Sequence, residues 1–297
     1  MTTKTCWILT NGLAGMESQA RGLAGALDVA AEVKRVRLRW MWGCMRRLVT
    51  SLPLGATTSD SDKLAPPWPD LVISCGQSSA ALARAVKAAS GGRTIAVHIQ
   101  NPGFDPRLLD LVIAPRHDGL AGANVVVTRA AIHPVTPEKL AEGVREWGPK
   151  LAHLPRPLVG VLVGGSNGRH VLSGAAISRL ADNLAALSRE FGAGLAVTPS
   201  RRTDGASQAA LRARLASLPA YVWDGQGANP YFGLLGLADA IVVTEDSVSM
   251  ISEALATGKP VYIASLEGGS RRLDRFTREL IEEGIARPFA GTFERWS

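Results

Sequence analysis

The chain is poor in the features that most directly announce a function. Its three cysteines, Cys6, Cys44 and Cys75, are widely spaced and have neither a CxxC pair nor a nearby histidine, so no disulfide framework or zinc site is supported. No apolar run approaches the roughly 18 residues of a membrane-spanning helix, and Lys4 to Leu9, ahead of Asn11 and Gly12, is too short for a secretory h-region. These two absences predict a cytoplasmic protein. A Walker lysine, a complete GxGxxG, an Asp-x-Asp metal motif and an internal repeat of about 20–50 residues are also missing.

What is present is apolar content and positive charge. With 297 residues and 46% hydrophobic content, the chain can bury two medium cores, and disorder is not expected. A net charge of +7 implies attraction to an anion, whether nucleotide phosphate, acidic lipid or nucleic acid. No recognised motif or aromatic platform accompanies the basic residues, so nucleic acid ranks last among these.

Short apolar runs alternate with helical patterns, which predicts βα units and parallel sheets covered on both faces. In the first half the runs are Cys6 to Thr10, Val33 to Leu38, Leu71 to Ser74, Thr94 to Val97, Leu111 to Ala114 and Val125 to Thr128. In the second they are Leu158 to Val163, Leu195 to Thr198, Tyr221 to Trp223, Ala240 to Thr244 and Val261 to Ala264. Thr136 and Pro137 open a helix as N-cap and first helical residue. Leu154, Pro155, Arg156 and Pro157 then suggest a hinge, dividing the chain into residues 1–153 and 154–297.

Three loops of the second half end predicted strands and could meet an anion. Gly164, Gly165 and Ser166 allow close backbone approach, with Gly168 and Arg169 expected just before a helix. Ser200, Arg201 and Arg202 bring two guanidinium groups, suited to a diphosphate. In the third, Ser247 caps a helix, Ser249 lies in its first turn, and Glu253 is placed to accept ribose hydroxyl protons. Taken singly, each has an ordinary alternative: a tight turn, surface arginines, a solvated helical glutamate.

Gly164-Gly165-Ser166 and Thr244 to Glu253, followed by Gly258-Lys259-Pro260-Val261, resemble the donor loops of GT-B glycosyltransferases, including the peptidoglycan N-acetylglucosaminyltransferase that acts on a membrane lipid. A resemblance covering nearly the whole chain is to the bacterial proteins related to the plant ELM mitochondrial-fission factor. Its segments are Gly15 to Gln19, Gly22 to Ala24, Gly76-Gln77-Ser78-Ser79, His98 to Pro102, Ala114 to Asp118, Gly122 to Val125, Ser200 to Thr203, Asn229-Pro230-Tyr231 and Thr244 to Met250. The resemblance implies an α/β fold of two Rossmann-like domains facing across a cleft. It adds Asn229, Tyr231, Thr244, Asp246 and Met250 to the donor side, and puts Gly15, Gln19, Gly76, Gln77, Ser78 and Ser79 on the acceptor side. The resemblance implies His, found in many relatives, where this chain has Met16, which cannot take a proton.

The function expected from that resemblance is inverting transfer from a nucleoside-diphosphate sugar to an envelope glycan or lipid, with no metal and no cofactor. Glu17, in the first glycine-rich loop, is the candidate base, although a carboxylate at a helix start can simply favour the dipole. His117 beside Asp118 is the rival. Ser78 and Ser79 are also read as helix caps. A nucleotide-sugar epimerase and a non-catalytic adaptor remain alternatives. Val36 to Leu54 mixes Arg37, Arg39, Arg46 and Arg47 with Trp40, Met41 and Trp42, and suits either an anionic membrane surface, which would make the protein peripheral at the inner membrane, or a packed helix.

Overall fold

The computed structural model describes residues 4–45 and 52–292, which form two compact units, Met1–Pro134 and Val135–Ser297. Unit 1 runs β1 Cys6–Thr10, α1 Ala14–Ala26, β2 Ala31–Arg35, α2 Trp40–Met45, β3 Leu71–Cys75, α3 Gln77–Ala89, β4 Ile95–Ile99, β5 Leu111–Pro115 and β6 Val125–Thr128. Its six strands are parallel in the order β2-β1-β3-β4-β5-β6. β1 is buried at every residue, because helices cover both faces of the sheet and a continuous apolar run satisfies both. One face buries Leu9, Val72 and Ala96 under Ala81, Leu82 and Val86 of α3; the other buries Ile8, Ile73 and Ile99 with Ala20 and Ala24 of α1.

Unit 2 begins with α4 Pro137–Leu151, then β7 Leu158–Val163, β8 His170–Val171, α5 Gly174–Phe191, β9 Gly194–Pro199, α6 Gly205–Leu215 and β10 Ala220–Val222. It continues with α7 Tyr231–Leu237, β11 Ala240–Thr244, α8 Val248–Leu255, β12 Val261–Ala264, β13 Glu267–Gly268, α9 Arg271–Glu282 and β14 Arg287–Pro288. Its main sheet is parallel in the order β10-β9-β7-β11-β12-β14, and β8 pairs separately with β13. In both sheets the order reverses beside the first strand, between β1 and β3 and between β7 and β11. In open α/β sheets ligands bind outside the carboxyl ends of the strands at that reversal.

The boundary between the units falls earlier than the expected hinge at residues 154–157. Thr136 does cap α4, accepting from the Lys139 amide at 3.3 Å. The helix belongs to unit 2 because it lies almost backbone to backbone on α7: a Cβ at Gly143 would meet the Gly233 nitrogen at 2.6 Å. Trp147 and Leu151 of α4 are buried with Leu158, Ala196 and Leu234. Two strands also shift from their expected bounds. β2 occupies Ala31–Arg35 rather than Val33 to Leu38, and Leu38 forms an isolated bridge with Thr57. β4 extends to Ile99 and so buries His98 within the sheet.

Candidate functional site

At the reversal point of unit 2, the loops after β7, β9 and β11 converge on one carboxylate. Asp246, 6% exposed, accepts a 2.6 Å bond from the Thr244 hydroxyl, a 3.2 Å bond from the Gly165 amide and a 2.6 Å charged bond from Arg202 Nη2. The Gly164 amide donates to Thr244 Oγ1 at 2.8 Å. A Cβ on Gly164 would lie 2.1 Å from Asp246 Oδ1, and one on Gly165 would lie 2.2 Å from the Arg202 carbonyl oxygen. Both glycines are therefore required by the chain's own packing. Their amides, expected to stand open for a phosphate, are already taken. Nor does this loop lead straight into a helix: Asn167 Oδ1 accepts from the Arg169 and His170 amides, β8 follows, and α5 is capped by Ser173.

The same carboxyl edge holds the rest of the expected donor set. Ser166 Oγ accepts from the Leu172 amide, and Ser200 Oγ from the Arg202 amide at 3.1 Å. Arg201 is exposed and has no ion-pair partner among the described residues. Asn229 Oδ1 accepts from the Tyr231 amide at 3.0 Å at the start of α7. Ser247 caps α8 by accepting from the Met250 amide, with Ser249 and Met250 partly buried in the first turn. Glu253 is not the solvated glutamate of the ordinary alternative: it is 6% exposed and accepts a short hydrogen bond from the Tyr231 hydroxyl. Burial and the adjacent Glu253 carboxylate hold that phenol well above its ordinary pKa. Tyr231 thus holds the Glu253 carboxylate in place.

Sequence reasoning missed two features here. Arg202 pairs with Asp246 across 44 positions, a separation that leaves no periodic signal. Lys259 donates to the carbonyls of Leu235 and Gly236 at 2.8 and 2.6 Å, closing the end of α7, and burial lowers its pKa to about 8. The dipole of the helix's C-terminal carbonyls favours a cation at that place, which local sequence order does not reveal.

In unit 1, Glu17 sits in the first turn of α1 rather than in the loop before it. Its carboxylate is bound by Arg21 at 2.9 Å and lies 4.0 Å from Arg35. Met16 packs its sulfur where a Cβ of Gly76, at φ +85°, would fall 2.5 Å away. The His117 and Asp118 side chains are fully buried, with Nε2 3.6 Å from Oδ1, and Asp118 Oδ2 accepts from the Asn101 amide at 3.0 Å. Ser79 does not cap α3: its hydroxyl donates back to the Cys75 and Gly76 carbonyls at 2.8 and 2.9 Å, Gly76 occupies the cap position, and Ser78 provides no cap either. Gln77 and Ser78 are partly buried, and Gln19 Nε2 donates to the Gly15 carbonyl at 3.1 Å.

Trp40 and Met41 of α2 are 84% and 56% exposed, whereas Arg46 and Arg47 lie outside the described residues. Among the described residues no helix is long and apolar enough to cross a membrane.

Two doubly wound, Rossmann-like units in tandem make this an α/β protein of the GT-B type. Solved structures similar to it include a spinosyn forosaminyltransferase, with TM-score 0.54, 15% identity and coverage of 98% of this chain and 87% of that one. A UDP-GlcNAc 2-epimerase from Methanocaldococcus jannaschii, in complex with UDP-GlcNAc and UDP, has TM-score 0.53 and 11% identity, covering 97% and 89%. At such identities the likeness shows the fold alone. The chain belongs to the mitochondrial fission ELM1 family, whose model matches residues 14–297. It is 31% identical over 256 residues to the mitochondrial fission protein ELM1 of Arabidopsis thaliana, covering 77% of this chain and 60% of that protein's length.

Proposed function

We propose that unit 2 binds a nucleoside-diphosphate sugar and that the protein transfers the sugar, with inversion, to a hydroxyl of an envelope glycan or lipid. The observation that carries this reading is the buried Glu253 carboxylate, held by Tyr231 on the Ser247-capped helix at the reversal of the sheet. A carboxylate at that edge can accept two ribose hydroxyl protons. The N-terminus of α8 and the guanidinium of Arg201 favour the developing negative charge of the leaving diphosphate. The chemistry needs no metal or cofactor in this account. Glu17 takes the acceptor proton, and the buried His117–Asp118 pair is the rival base. Trp40 and Met41, beside Arg37 and Arg39, suit contact with an anionic membrane that presents the acceptor.

A second reading, a non-catalytic adaptor, is favoured by the Asp246 carboxylate, which fills the glycine loop where a phosphate would otherwise sit, and by the name of the plant relative.

The test is nucleotide release from UDP-GlcNAc and other nucleotide sugars, with and without vesicles of anionic bacterial lipid. Turnover that requires the vesicles, and that falls about 10²-fold in Glu17→Gln with nucleotide affinity retained, supports transfer from this base. Loss in His117→Asn alone reassigns the base. Isomerisation without an acceptor makes the protein an epimerase, and nucleotide binding without any turnover favours the adaptor.

A further inference from the structure

The carboxyl edge of the unit 1 sheet carries side-chain amides brought together by the chain's own bonds. Gln19 Nε2 donates to the Gly15 carbonyl, which fixes the orientation of that amide, and Gln19 Oε1 accepts from Gln100 Nε2 at 3.4 Å. Gln100 is thereby turned so that its own carbonyl oxygen is left over as an acceptor. It holds this position with φ at +79°, in the left-handed region that a glutamine seldom adopts, while its backbone amide is pinned to the Ile113 carbonyl at 2.8 Å. Next to it, Asn101 Oδ1 accepts from the Gly103 amide at 2.9 Å. A Cβ on Gly103 would lie 3.1 Å from Gln77 Nε2, which places the Gln77 amide against the same turn.

Several of these groups have no hydrogen-bond partner among the described residues: Gln100 Oε1, Asn101 Nδ2 and both ends of the Gln77 amide. All three residues are half-buried. Their bonds run to backbone and to other amides, and none of those bonds comes from a cation. Asp118 accepts from the Asn101 backbone amide, and Glu17, next to Met16, is bound by Arg21 with Arg35 4.0 Å away. The free amide ends carry no charge of their own, so they offer hydrogen bonds but no counter-ion for an anion. The Met16 thioether against Gly76 adds an apolar floor beside the amides.

We infer that this edge is a binding subsite for an uncharged, hydroxyl-rich ligand, a sugar ring. Together the amides offer donors, Asn101 Nδ2 and Gln77 Nε2, and acceptors, Gln100 Oε1 and Gln77 Oε1, which is what adjacent hydroxyls require, and the apolar floor suits the C–H face of the ring. The inference deepens the acceptor side of the transfer reading: the group reaching this edge is a neutral saccharide rather than a charged headgroup. Gln100 and Asn101 join Gln77 as the residues that select it.

The experiment is a titration of the full ¹⁵N-labelled chain, followed through its side-chain amide signals. The probes are the methyl glycosides of N-acetylglucosamine, glucose and mannose, with inorganic phosphate and UDP titrated separately. The Gln77 and Gln100 signals are assigned by their loss in Gln77→Leu and Gln100→Gly; glycine is at ease at positive φ, and Gln100→Asn is the reserve should that variant misfold. At least one glycoside should shift these signals while phosphate does not, and its affinity should fall about tenfold or more in each variant. The inference is overturned if no glycoside moves them, if phosphate does, or if affinity is unchanged in the variants. UDP binding in the same samples reads the donor reading separately, so either can fail alone.

Discussion

The two units share a doubly wound topology but arm their reversal points differently. In unit 1 the carboxyl edge is built from neutral amides and a thioether, and the carboxylates nearby are already bonded within the unit. In unit 2 the corresponding edge is ionic: Asp246 with Arg202, and Glu253 with Tyr231. Each unit buries a strand histidine, His98 in unit 1 and His170 in unit 2, but His98 lies inside the main sheet, with Nδ1 2.8 Å from Ser74 Oγ. One topology therefore supplies two chemistries, and the difference rests on the residues at strand ends rather than on strand order.

The largest expected effect of that contrast is on acid stability. Burial lowers the His98 pKa from 6.5 to about 3, so the folded state keeps a neutral ring while the unfolded chain takes up a proton. The contribution is complete above pH 6.5 and is lost as pH falls from 6.5 towards 3. At about 1.4 kcal/mol per pH unit, it amounts to roughly 5 kcal/mol. Glu245 in unit 2 acts in the opposite sense, because burial raises its pKa and protonation relieves the penalty. Unit 1 should unfold first on acidification, and His98→Asn should flatten its slope between pH 6 and 4 in denaturant titrations. Equal slopes in the wild type and the variant would remove the histidine from the account.

A smaller effect is expected at the ionic edge of unit 2. Asp246→Ala leaves Arg202, the Thr244 hydroxyl and the Gly165 amide without their shared acceptor. Breaking a buried pair costs several kcal/mol; because the Arg202 side chain is 39% exposed, the loss here should be about 2–3 kcal/mol of unfolding free energy. A change under about 0.5 kcal/mol would mean that the carboxylate is incidental to the fold and free to yield its place to a ligand.

The sequence made the strands readable because each buried parallel strand must be apolar on both faces, as in Leu158–Val163 and Ala240–Thr244. The caps at Thr136 and Ser247 were readable too, since each sits three residues before the amide it accepts from. What escaped was set by contacts between distant residues. α4 looks like the end of the first half until Gly143 and Gly233 are seen to bring it onto α7. Gly164 and Gly165 look like a phosphate cradle until Asp246 is found inside it. Glu253 reads from its residue type as an ordinary solvated helical glutamate, and only its burial in α8 and the Tyr231 hydroxyl bonded to it show otherwise.

The central claim is that Glu253 serves a nucleotide bound by unit 2. Calorimetric titration of the full chain with UDP, GDP, ADP, CMP and TDP tests it most directly, with Glu253→Ala and Tyr231→Phe alongside. The account predicts that at least one nucleotide binds, that its affinity falls about tenfold or more in Glu253→Ala, and that Tyr231→Phe weakens it less. No binding by any of the five, or affinity unchanged in Glu253→Ala with the fold intact, would contradict it.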